Sequence, residues 1–144
     1  MIETLSYADF KNVPRGMKLN NPLLVKKSKQ EWIGKAKNNT DRSFEQFDYY
    51  WQGLHAALRI IQKYYFEENA NTIEKLIFKF ARPGTGVTPY IQAVSTGAGL
   101  RPRQVFKFNR ETIYLIMCEI SRYELKGRNP MIHPDIFAFV WLKI

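Results

Sequence analysis

Glu124 is the residue of this sequence best placed to do chemistry. At about 100° per residue it falls at the centre of the apolar stripe drawn by Ile113, Met117 and Ile120. Glu111 projects from the opposite face and Glu119 lies on the flank. A carboxylate on an apolar stripe is partly desolvated, and in the last turn of a helix the macrodipole opposes its charge. Both effects favour the protonated acid, the form able to protonate a glycosidic oxygen. The same position suits a structural carboxylate paired with Arg122 or Arg128 at a helix end, and sequence alone does not separate the two. A second carboxylate is harder to assign: Glu45 and Asp48 share one segment, and Asp41 lies in a loop. Inverting and retaining hydrolases both need such a partner at a set separation. A lytic transglycosylase does without it, because the sugar's own hydroxyl closes onto the anomeric carbon. Asparagine and tyrosine side chains orient sugars, and Asn20, Asn21, Glu45 and Tyr90 are the candidate substrate-binding residues. An acid at Glu124 requires an open groove bordered by the early strands, near Asn20, Asn21 and Glu45.

Other chemistries have little to stand on. A single cysteine, Cys118, excludes an intramolecular disulfide and a cysteine metal cluster. His55 and His133 lack ligand spacing, so neither a metal nor a cofactor is expected. The loop Arg82-Pro83-Gly84-Thr85-Gly86-Val87 has two glycines but no Gly-Lys-Ser/Thr ending and no preceding strand, and reads as a connection rather than a phosphate cradle. The 82–88 turn is also longer than a helix-turn-helix uses.

Lys and Arg number 22 against 13 acids, a net charge of +9. Such a surface either serves solubility or draws anionic partners. Peptidoglycan or another anionic cell-wall polymer is the first expectation and nucleic acid the second. Arg101, Arg103, Lys107 and Arg110 form a basic stretch that is a solvated face or a polyanion-binding rim. The N-terminus has neither a basic n-region nor an apolar run, so no signal peptide is expected and synthesis in the cytoplasm is. No stretch reaches the ~18 apolar residues of a membrane span.

The elements that must position Glu124 are mostly helical. Tyr50, Leu54, Ala57, Leu58, Ile61 and Tyr65 make one stripe, opposite Gln52, His55, Arg59 and Gln62. The polar turn 67–71 ends that helix, and Asn71 with Glu74 reads as the capping pair of the next, whose stripe is Ile73, Leu76, Ile77 and Phe80. Thr88 and Pro89 open a short helix that buries Tyr90, Ile91 and Val94 and stops at Gly97. Asn109 caps the Glu124 helix and Gly127 closes it. A last helix from Pro134-Asp135 is apolar nearly all round, hence buried or at a partner interface. Before these helices, Asn20-Asn21-Pro22 marks a turn, Leu23-Leu24-Val25 and Trp32-Ile33 are short apolar runs, and Phe44-Glu45-Gln46-Phe47 alternates as a strand would. The expected fold is therefore α+β, mainly helical. One domain over residues 1–144 has a small sheet within 20–47 and about five helices after it, with residues 1–13 as an arm or short helix.

The order and spacing of these pieces resemble a phage and prophage family of small virion-associated, lysozyme-like proteins. Its early Arg-Gly, Asn-Asn-Pro, Trp-x-Gly and Phe-x-x-Phe are similar to Arg15-Gly16, Asn20-Asn21-Pro22, Trp32-Ile33-Gly34 and Phe44-Glu45-Gln46-Phe47. Gly53-Leu54-His55-Ala56, Tyr64, Asn71-Thr72-Ile73 and Phe80-Ala81-Arg82-Pro83 follow the middle of its pattern, and Thr88-Pro89-Tyr90-Ile91-Gln92-Ala93-Val94-Ser95 a later piece. Its late His-Glu-Asn-Gly resembles Tyr123-Glu124-Leu125-Lys126-Gly127. The resemblance covers residues 14–140 and implies a lysozyme-like fold, a cell-wall-penetrating or virion-structural role, other virion proteins as partners, and Glu124 as the catalytic glutamate. Two departures bear on activity: Leu23-Leu24 replaces Gly-Asn, and Tyr-Glu-Leu replaces His-Glu-Asn. A retuned site and a lost activity both fit them, so a non-catalytic structural or adaptor protein is the rival reading.

Overall fold

The computed structural model describes residues 2–81, 86–129 and 132–144. Among these, six α-helices follow a 3-10 turn at Ile2–Thr4: α1 Arg15–Lys18, α2 Tyr50–Glu67, α3 Ile73–Phe80, α4 Val87–Ala98, α5 Arg110–Glu124 and α6 Pro134–Trp141. Most of the loop read as a connection, Arg82–Thr85, lies outside the described residues. α4 lies along α5, α3 packs on both α4 and α2, and α6 closes over α2 and α5. One apolar cluster runs through α2–α6, with Leu54, Leu58, Ile61, Ile73, Leu76 and Ile113 fully buried in it.

The predicted stripes form α2–α5, with shifted ends, and the apolar segment after Pro134 forms α6; the short α1 was not expected. Thr72, not Asn71, caps α3: its hydroxyl accepts the Lys75 N–H at 3.2 Å. Asn109 caps α5 as expected, accepting the Thr112 N–H at 2.9 Å. α4 begins at Val87 and runs past Gly97 to a left-handed Gly99 at φ 69°. A Cβ on Gly97 would meet the Glu119 side chain of α5, so this glycine sets a close crossing rather than a helix end. His55, expected on the polar face of α2, is buried beside Trp51 and hydrogen-bonds to the Lys143 backbone. The α6 side of the molecule covers that face of α2, which is why burial extends beyond the predicted stripe.

The α+β expectation is wrong: the described residues contain no strand and no sheet. Residues 20–47 hold only two isolated bridges, Lys26–Phe44 and Lys35–Phe47. The cause lies in the backbone and in the polar side chains around it. Asn20, Leu24 and Gly34 take positive φ (53°, 52° and 80°), which a strand does not accommodate. Side chains then take the backbone groups that a ladder would pair. Asn21 accepts the Val25 N–H at 2.8 Å and donates to the carbonyls of Val25 and Glu45 at 3.0 and 2.9 Å. Asp41 accepts the N–H groups of Ser43 and Phe44, and Asn39 donates to the Phe44 carbonyl. Phe44, Glu45 and Phe47 are all buried, a pattern with no period of two.

The first residues are docked rather than free. Tyr50 N–H donates to the Leu5 carbonyl at 2.8 Å, and the Tyr7 ring meets Phe10 and Tyr50 edge-on at 5.0 and 4.8 Å.

Candidate functional site

Glu124 is the last residue of α5 and is 8% exposed. Tyr90, from the first turns of α4, donates its hydroxyl to Glu124 Oε2 at 2.7 Å. The Tyr90 ring is buried and stacks on Tyr123, with centroids 4.0 Å apart and planes 14° from parallel. The close packing of α4 on α5 makes this contact, and Tyr90 is thus one partner of Glu124. The two arginines at this helix end make bonds of their own. Arg122 pairs with Glu119 at 2.5 Å, and Arg128 donates to the Asn12 carbonyl at 3.2 Å.

Glu124 borders two open cavities. One, of about 570 Å³, has walls from α1, Phe44 and Lys126. The other, of about 590 Å³, lies towards Ala93, Arg122 and Gly127. The first has a basic rim of Arg15, Lys126 and Arg128, whereas on the second Arg122 and Lys126 stand beside Glu119 and Glu124. Arg15 is committed elsewhere: its guanidinium holds Asp41 through two bonds of 2.6 and 2.7 Å. That bond keeps the Asp41 carboxyl well below the usual carboxylate range.

The other candidate residues lie beneath the surface. Asn20 and Asn21 are fully buried. Asn20 accepts the Tyr7 N–H at 2.8 Å and donates to the Phe47 carbonyl at 2.9 Å and the Ser6 hydroxyl at 2.9 Å. Glu45 is also fully buried; its Oε2 takes the Lys35 ammonium and the Ser28 N–H, each at 3.2 Å, while Oε1 has no hydrogen-bond partner among the described residues. The structure therefore joins Tyr90 to Glu124, and it spends Asn21 and Glu45 on the 19–48 segment and Asn20 on that segment and the N-terminal arm. Ser121 of α5 ties that segment to the Glu124 helix, its hydroxyl donating to the Pro22 carbonyl at 2.5 Å. Nothing in the local sequence around Ser121 or Tyr90 announces these long-range bonds. Among the described residues no three His, Cys, Asp or Glu side chains converge as metal ligands, and no helix is long and apolar enough to cross a membrane.

An all-helical, basic chain with a carboxylate between two grooves fits many roles, but comparison with known proteins narrows the origin to a phage protein family. Protein P5 of Pseudoalteromonas phage PM2 is 30% identical over 132 residues, covering 88% of this chain and 81% of P5. The chain belongs to that family. No protein-family model matches it. The phage part of the resemblance seen in the sequence stands; the relative's name carries nothing lysozyme-like.

Proposed function

We propose that the protein is a virion-associated structural or adaptor component of a phage or prophage, acting as one domain that binds other virion proteins. Family membership with a phage protein supports the setting. The observation that carries the non-catalytic part is the internal use of polar chemistry. Asn20, Asn21 and Glu45, the residues a sugar-binding groove needs beside Glu124, are fully buried and bonded within the 19–48 segment or, for Asn20, also to the N-terminal arm. A buried amide that already satisfies several backbone groups has nothing left to offer a sugar hydroxyl. The test is mass spectrometry of density-purified particles from cells carrying this sequence, together with turbidity of purified cell walls. Co-purification with particles and no wall clearing are expected. Absence from the particles overturns the proposal.

One observation favours lysozyme-like glycan cleavage as a second reading: Glu124 lines both grooves, so a proton donor there has access to a bound polymer. On that reading Glu124→Gln, which removes the transferable proton, lowers wall clearing by roughly 10²–10⁴-fold. Circular dichroism must show the variant folded. Wild-type protein that never clears walls, or a Gln variant that clears them as fast, ends this reading.

A further inference from the structure

On another face, α2, the end of α3 and the 24–32 segment enclose a cavity of about 370 Å³. Lys26, Lys63 and Lys79 stand on its wall, which includes no acid among the described residues. A neighbouring cavity of about 400 Å³ shares Gln30, Trp32 and Lys63 with it and adds Arg59 and one acid, Glu67. The shared residues make the two one continuous groove, with Trp32 on the wall of both parts. Lys79 is engaged by Glu68 at 2.6 Å, but Lys26, Lys63 and Arg59 are exposed and have no ion pair among the described residues.

Trp32 is uncommitted in a way the other two tryptophans are not. Trp51 donates to the Glu3 carbonyl and packs on Phe139, and Trp141 stacks on Phe108. Trp32 is half-buried, has no aromatic partner, and its indole N–H is buried without an acceptor among the described residues. Such an unmade bond is uncommon in a native fold and marks a place where a missing partner is expected.

We propose that this groove binds single-stranded nucleic acid, with the cations along the phosphodiester chain and a base against Trp32. Cations in a groove together with an aromatic ring on which a base can stack are what single-strand binding uses. A glycan of neutral hydroxyls gains most from amides and carboxylates, and this groove has few. A duplex keeps its bases stacked on one another and presents none to Trp32.

The test is fluorescence anisotropy of a labelled 20-nucleotide oligothymidylate against its duplex and against soluble wall glycan, over a series of salt concentrations. The single strand binds most tightly, and its affinity falls with salt with a log–log slope of about −0.7 for each phosphate neutralised. Trp32→Ala weakens binding about 10-fold or more with the slope unchanged, while Trp32→Phe retains most of the affinity. Lys63→Ala, at an exposed site that the fold does not need, reduces the slope by about 0.7. Lys126→Ala, in the Glu124 groove, leaves binding unchanged. Equal or tighter binding of duplex or glycan, or wild-type affinity in both Trp32→Ala and Lys63→Ala, overturns the proposal.

Discussion

Asn20 shows what a single side chain holds in this protein. Its amide joins the docked N-terminal arm to the end of the 19–48 segment, through Tyr7 on one side and Phe47 on the other. Asn20→Ala strands a buried N–H and a buried carbonyl, each worth about 1–3 kcal/mol when unmade. A loss of about 3 kcal/mol or more in urea unfolding is expected; a change within experimental error would show that water replaces the amide. Asp41 gives a second residue-scale expectation. Its folded-state pKa lies below the ordinary 3.8, chiefly through the Arg15 hydrogen bonds. Its contribution to stability is therefore complete above that value and is lost as pH falls below it. The stability difference between wild type and Asp41→Asn should be present at pH 7 and shrink steadily in the acid range. A difference independent of pH would count against the ion pair. Asn-Asn-Pro was readable in the sequence as a turn, because turn chemistry is local. The bonding targets of Asn20, 13 and 27 residues away, were not.

At the scale of elements, α2–α5 were legible because each buries one face against the same core, which imposes the 3.6-residue period; the four-residue α1 is too short to show one. The sheet was misread because short apolar runs look alike whether the backbone pairs with a strand or with asparagine and aspartate side chains. Close approach was also invisible. Gly53 of α2 sits against the backbone of Asn20, where an added Cβ would overlap the carbonyl oxygen and stand 2.9 Å from its carbon. Backbone cannot yield as a flexible side chain can. Gly53→Ala should therefore destabilise by about 1–3 kcal/mol or more, although alanine is the better helix former. A stabilised variant in thermal melting would mean that α2 shifts away from the Asn20 segment without cost.

For the whole molecule, charge was readable from composition, whereas its division into grooves required the fold. Part of the basic excess lines the Glu124 grooves and part the Trp32 groove, where Lys26, Lys63 and Arg59 lie beside an indole that has no aromatic partner among the described residues. Trp51 has a different part. Its indole N–H donates to the Glu3 carbonyl at 3.2 Å, and the Lys143 ammonium lies 5.1 Å from its ring centroid. The first and last turns of the described fold are thus fastened to one ring, although they are 140 positions apart in numbering, from 3 to 143. Segments that share an anchor open together in native-state hydrogen exchange. Residues 2–6 and 136–144 should form one cooperative unit, with matched opening free energies and matched denaturant dependence. Trp51→Ala should speed exchange in both at once, so that loosening either end is felt at the other.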